Sequence, residues 1–344
     1  DRLPMGVAFG GLALLSWVLY GVYRAAQRSA YELESLVFLL ISIGAAVTAA
    51  YDPASLYKLL ITVVMGMVLF LVISGVLRDL HLSIRARWPV AIAAGALLAF
   101  NVVLGERIFG AKNWISIGPL SFQPSELVKI AFILAGAATL DRLFAKRNLV
   151  FTILFSAYCV GCLALMSDFG TALIFFVAFL CIAFLRTGDL PSIAMMVAAA
   201  AFGCGIILRF KPYIADRFAA WRHAWDYAQD IGYQQTRTMS AMASGGLFGV
   251  GPKDGWLKYV GAANTDLVFG VVGEEFGFLL ALCCVAALVI PIVFTLRCAA
   301  AARSSFYTIL SCATAAMLVC QMALNVLGAV DLLPLTGVTF PFVS

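Results

Sequence analysis

Ten apolar runs, at about 5–23, 35–50, 56–77, 88–105, 126–140, 149–166, 171–186, 190–208, 266–296 and 305–328, read as membrane spans and leave little chain for anything else. Backbone groups in hydrocarbon must find their partners within the segment, so each span is expected to be a helix. Hydrophobic residues make up 63% of the 344 and charged residues 12%, more apolar than a water-soluble core of this length requires. The fold class is therefore an all-α polytopic membrane protein with about ten transmembrane helices. The net charge of +5 is carried largely by short loops, which speaks of topology rather than nucleic acid. The nine cysteines lie almost entirely in apolar runs, where they read as small core residues. Cys159 and Cys162 form a C-x-x-C without the second ligand pair or redox context that would make it a site.

Loop charge sets the orientation. Arg24 and Arg28, then Arg78, Arg85 and Arg87, then Arg142, Lys146 and Arg147, then Arg186, then Arg297 and Arg303 fall in alternate short connections, which the positive-inside rule places in the cytoplasm. The other face receives Tyr51 to Ser55, Glu106 to Ser125, the tight connection Ser167 to Gly170, and a segment of 209–265, long enough to be expected to carry function. Within it, Ile214, Phe218, Trp221 and Trp225 recur at helical spacing in YIADRFAAWRHAWDYAQD and predict a helix lying on the membrane surface. The GYQQTRTMSAMASGGLFGVGPKDG that follows reads as a glycine-rich loop able to approach a ligand closely.

Three carboxylates stand out in NTDLVFGVVGEEFGF: Asp266, Glu274 and Glu275. An Asp at mid-membrane costs roughly 2.5–3.5 kcal/mol, so such groups normally face a polar cavity. Asp266 sits at the outer end of its run, whereas the two glutamates lie two to three turns deeper, roughly 12–14 Å away at helical rise, and are expected to need internal partners. Asp266 is also open to a second reading, as a helix cap beside Thr265. In ERIFGAKNWISIGPLSFQPSELVK, Pro124 suits a first helical turn, Glu126 complements a helix N-terminus, and Lys129 shares a face with Glu126. A capping glutamate with a snorkelling lysine explains that pair as well as a binding role does. Asp168 in SDFGTA is likewise either a cap or a ligand. Glu126, Lys129, Asp168, Arg217, Gln234, Gln235 and Asp266 all fall toward the outer side, while most spans carry no mid-membrane charge. An outward cavity mixing carboxylates with cations suits an anionic, lipid-linked substrate.

The segments GAKNWISIGPLSFQPSELVK, SDFGTALIF, Tyr233-Gln234 followed by SGGLFGVG, TDLVFGVVGEEFGF and LLPLTGVTFPFVS resemble, in order and spacing, the SEDS family of RodA, FtsW and SpoVE. The resemblance covers 35–344 and leaves 1–34 as an additional N-terminal helix with a cytoplasmic connection. It implies a peptidoglycan glycosyltransferase in the bacterial cytoplasmic membrane. Such an enzyme polymerises lipid II at the outer face and works with a class B penicillin-binding protein. By this resemblance Asp266 is the catalytic residue and general base. Gln123, Ser125, Glu126 and Lys129 match the family's QPSE-x-x-K, Asp168 its Asp-x-Gly-Thr, and Arg217 its arginine in the large outer loop. Gln234, and Ser244 at the head of SGGLFGVG, join them as substrate-binding candidates. Where the family carries Arg before the Trp of G-A-x-x-W, this chain has Asn113, with Lys112 just before it. The family motif would continue beyond Ser344 into a further helix.

The implied reaction is attack by a GlcNAc 4-hydroxyl on C1 of a donor MurNAc, with inversion and loss of undecaprenyl diphosphate. The charge developing on that leaving group calls for Lys129, Arg217 or a divalent cation, Mg or Mn, bound with the diphosphate. No organic cofactor is expected, and no ligand spacing forms an all-protein metal site. Two other readings stand beside this one: a lipid II flippase, for which a charged route across the membrane is missing, and a non-catalytic scaffold for the penicillin-binding protein.

Overall fold

The computed structural model describes residues 2–28, 30–108, 111–117, 120–140, 146–210, 212–302 and 304–344. Arg142 and Arg303, counted above among the loop cations, lie outside these residues. Among the described residues the fold is helical, and each of the ten apolar runs lies in a helix of 17 to 25 residues or, for 266–296, in a broken pair. Helix α1 spans Arg2–Ala25, α2 Glu32–Tyr51, α3 Leu56–Leu77, α4 Leu80–Leu104, α5 Pro124–Leu140, α6 Lys146–Leu165, α7 Phe169–Thr187 and α8 Leu190–Phe210. They are followed by α9 Pro212–Ala220, α10 Tyr233–Gly245, α11 Val268–Glu275, α12 Phe278–Ala300 and α13 Ser305–Ala329. Eight of these helices are long and apolar enough to cross a membrane, and Val150–Leu165 within α6 is a shorter apolar helix.

The chain divides into two compact units. The first comprises Asp1–Phe70, Leu208–Val293 and Gln321–Ser344. In it α1 packs on α2 through Ala8, Leu12, Ala45 and Ala49, with Leu56 completing the cluster. Asp52 ends α2 and restarts the chain: its Oδ1 accepts from Ala54 N at 3.1 Å and its Oδ2 from Ser55 Oγ at 2.5 Å, capping the 3-10 turn Pro53–Ser55. The closing segment after α13 is extended or turned rather than helical and returns to α2, where Val343 lies against Gly44.

The second unit comprises Leu71–Ile207 and Phe294–Cys320. Here α4 packs along α5, and the segment between them, expected only as a loop, forms a small antiparallel sheet. Strands β1 (Glu106–Ile108), β2 (Ala111–Ile117) and β3 (Leu120–Phe122) run in order 1-2-3, with Glu106 opposite Trp114 and Ser116 opposite Ser121. Alternation in KNWISI supports the strand. Lys112 secures it at one end, donating from Nζ to the carbonyls of Val102 and Val103 at 2.8 and 2.9 Å, where the last turn of α4 leaves carbonyls unpaired.

Three local expectations differ from what is observed. Arg85 and Arg87 lie in the first turns of α4 rather than in a loop, because Asp79 caps that helix by accepting from His81 N at 2.8 Å. The predicted surface helix ends at Ala220, so Trp221 and Trp225 lie in turns; Arg222 adopts φ +61° and breaks the helical register. The stretch read as a glycine-rich loop is helical from Tyr233 to Gly245, and only the residues after it form a loop.

Candidate functional site

Asp266 lies one residue ahead of the N-cap of α11, in a turn where its N–H donates to the Ala262 carbonyl at 3.0 Å. The N-cap itself is Leu267, which offers no side-chain bond. The Asp266 carbonyl accepts from Asn325 Nδ2 at 2.9 Å, so the main chain at Asp266 is held by α13. The closing segment passes beneath the carboxylate. A Cβ built on Gly337 would stand 3.2 Å from Asp266 Oδ2 and 3.6 and 3.8 Å from Arg217 Nη1 and Nη2. Arg217, on α9, is fixed by donating from Nη1 to the Leu335 carbonyl at 2.7 Å. The carboxylate and the guanidinium thus border one small space over a glycine that has φ +73°, a backbone conformation open to glycine and strained for other residues.

The loop that carries Arg217 is clasped to the end of α13. Asp331 Oδ1 accepts from Arg222 N and from Gln235 Nε2, both at 3.1 Å, and Trp221 Nε1 donates to the Leu332 carbonyl at 3.0 Å. Gln235 also donates to the Gly328 carbonyl at 3.3 Å. Gln234, one residue earlier, turns the other way and donates to the Gly261 carbonyl at 3.0 Å, bracing the segment that leads to Asp266. Ser244 is exposed, and its hydroxyl donates within its own helix to the Ala241 carbonyl at 2.7 Å.

The remaining candidates form a cluster of their own in the second unit. Lys129 is 5% exposed, and its Nζ stands 2.7 Å from Glu126 Oε2, the i,i+3 pair expected from the sequence. Asp168 is also 5% exposed and fully engaged. Its Oδ1 accepts from Thr171 N at 3.1 Å as N-cap of α7, and its Oδ2 accepts from Asn113 Nδ2 at 3.0 Å and Gln123 Nε2 at 3.1 Å. Asn113, standing where an arginine was expected, is thus a neutral partner for Asp168, and Lys112 beside it is committed to α4. Ser125 is buried, and its Oγ has no hydrogen-bond partner. Among the described residues no group of three His, Cys, Asp or Glu side chains is placed to hold a metal ion.

Sequence reasoning named Asp266 and Arg217 but not the two residues between which they are held, Asn325 and Gly337. A signal for Asn325 was present: with Gln321 it forms an i,i+4 polar pair in an otherwise apolar helix. Gly337 gave only a turn signal inside LTGVTFP.

Residues 24–344 match the family described as cell cycle protein, comprising FtsW, RodA and SpoVE. The chain is 27% identical over 356 residues to the probable peptidoglycan glycosyltransferase FtsW of Saccharophagus degradans, covering 95% of this chain and 90% of that one. To the peptidoglycan glycosyltransferase RodA of Mycobacterium leprae it is 28% identical over 372 residues, covering 97% and 78%. Among solved structures it is similar to a chain described under structural coordination of polymerization and crosslinking by a peptidoglycan synthase complex. That likeness has a TM-score of 0.73 at 26% identity, covering 92% of this chain and 91% of that one. The rod shape determining protein RodA of Thermus thermophilus gives a TM-score of 0.64 at 25% identity, covering 92% and 89%.

Proposed function

The chain belongs to the FtsW/RodA/SpoVE family of cell cycle proteins, and on that premise we propose that this multi-pass membrane protein is a peptidoglycan glycosyltransferase whose general base is Asp266. One observation carries the assignment of the base: the Asp266 carboxylate and the Arg217 guanidinium border the same space above Gly337. A carboxylate can take a proton from a sugar hydroxyl, and a guanidinium beside it can bind phosphate oxygens. The substrate is lipid II, taken at the outer face of the cytoplasmic membrane, and the partner is a class B penicillin-binding protein. The likeness to a chain of a complex that coordinates polymerization with crosslinking supports that partner.

Asp266 accepts the proton of the acceptor's GlcNAc 4-hydroxyl as its oxygen bonds to C1 of the donor MurNAc. The C1–O bond to undecaprenyl diphosphate breaks with its electron pair leaving on the diphosphate, and the linkage inverts from α to β. Arg217 holds the departing diphosphate. Because diphosphate leaves readily, one base and cations suffice without the paired carboxylates of glycoside hydrolysis. A divalent cation would be held by the Asp266 carboxylate together with substrate oxygens, a hard ion on oxygen ligands. When bound it would neutralise charge on the diphosphate. In the second unit, Lys129 serves as a buried substrate-binding cation oriented by Glu126, while Asp168 holds Gln123 in place.

The test is glycan synthesis from lipid II by the purified protein with its partner. Asp266→Asn is expected to abolish it and Arg217→Ala to weaken it. Near-normal polymerisation by Asp266→Asn would remove the base assignment, and lipid II movement across proteoliposomes without glycan would favour a flippase.

A further inference from the structure

Asn325 is 1% exposed on α13 and makes two hydrogen bonds of unequal consequence. Its Nδ2 donates to the Asp266 carbonyl at 2.9 Å and to the Val338 carbonyl at 2.7 Å, while its Oδ1 is buried with no partner. One side chain thus ties the turn carrying Asp266 to the closing segment beside Gly337. A buried amide with an unpaired oxygen is a poor choice if stability alone is served, since an apolar residue of the same shape avoids that desolvation cost. What the amide supplies is a fixed distance between two pieces of backbone. Gly337 completes the arrangement from below: a Cβ there would meet Asp266 Oδ2 at 3.2 Å, tighter than ordinary contact, and its φ of +73° disfavours any side chain. Leu335, two residues earlier, holds Arg217 through its carbonyl.

We propose that Asn325 and Gly337 are positioning residues for Asp266, Asn325 fixing its main chain against the closing segment and Gly337 leaving the space its carboxylate occupies. The inference rests on the reading of Asp266 as the base. A carboxylate displaced by about 1 Å from its acceptor hydroxyl loses on the order of 10²-fold in rate, which sets the scale of the effect.

The experiment is steady-state lipid II polymerisation by the full chain with its partner, alongside lipid II binding stoichiometry and thermal unfolding. Asn325→Ala and Gly337→Ala are each expected to lower kcat about 10- to 100-fold in the folded protein, with KM and lipid II bound per folded protein little changed, while the unfolding midpoint falls because of the two orphaned carbonyls and the strained φ. The double variant should lose little beyond the worse single, because both act through one carboxylate. Asn325→Leu fills the same volume without the donors and decides the matter if the alanine variant fails to fold. Wild-type kcat in Asn325→Leu, or a kcat loss matched by lost lipid II binding, would overturn the inference while a dead Asp266→Asn leaves the base assignment standing. Normal synthesis by Asp266→Asn removes the base assignment itself, and the positioning role with it.

Discussion

Glu274 and Glu275 are adjacent and equally buried, at 1% and 2% exposure, yet the chain uses them differently. Glu274 accepts from Trp256 N at 2.8 Å and from Leu257 N at 3.0 Å, one oxygen for each, and so starts the 3-10 turn Leu257–Tyr259 from α11. Glu275 Oε2 is buried without a hydrogen-bond partner. Replacing Glu274 with Ala orphans two backbone donors and is expected to cost about 2–4 kcal/mol, read as a lower unfolding midpoint in detergent, with Glu274→Gln losing less because one acceptor survives. Glu275→Gln should be neutral or stabilising by the same measurement, since an amide is cheaper to bury than a carboxylate. The need for internal partners was readable from acids in an apolar run. Which donors each acid would find was not, because those of Glu274 come from Trp256 and Leu257, 18 and 17 positions away, and that of Glu275 from the Lys253 backbone.

Helices show a similar division between pattern and packing. The run 266–296 reads as one span, but it breaks at Gly277, where φ is +90° and a Cβ would stand 2.3 Å from the Leu247 carbonyl. The loop after α10 enters that break: the Gly246 carbonyl accepts from Phe278 N at 2.9 Å, supplying an acceptor to a first-turn N–H of α12. Gly277→Ala combines a strained φ with a backbone clash and should destabilise by about 2–4 kcal/mol in denaturant titration, far beyond the roughly 1 kcal/mol scale of an ordinary helical glycine change. Between α5, α6 and α7 lies a small cavity lined by Phe132, Thr139, Phe151, Phe155 and Ser156. Most spanning-helix hydroxyls bond back to their own helix, as Ser42 does to Phe38 and Thr48 to Gly44, whereas Thr139 Oγ1 and Ser156 Oγ are buried without partners. Thr139→Val and Ser156→Ala are therefore expected to leave the unfolding midpoint unchanged or raise it. Hydropathy marks all these positions as helix interior and carries no information on which hydroxyl closes onto its own backbone.

Across the whole molecule, orientation follows from where the cations collect. In a cysteine-free background, Lys253→Cys in the large outer loop is expected to react with a membrane-impermeant maleimide in intact cells, and Gln27→Cys beside Arg28 only after permeabilisation. The reverse pattern would invert the topology. Class and family were determined by the sequence itself, because bilayer thickness imposes a length and an apolar composition on each span, and because separated motifs such as QPSELVK and TDLVFGVVGEEFGF keep their order. Ten runs were expected to span, and eight helices among the described residues meet the length and apolarity of a span. Asp266 and Arg217 stood out in the sequence as charges at the ends of apolar or amphipathic segments. The sheet at 106–122 did not, since its strands are only 3 to 7 residues long and depend on pairing with one another and on Lys112 at the end of α4. Only the tertiary structure decided that Asp266 and Arg217 meet over Gly337 and that Asn325 holds the turn in place. Those contacts join residues between 49 and 120 positions apart, and the bonds that fix Arg217 and the Asp266 turn go to carbonyl groups that every residue possesses and no pattern of side chains can announce.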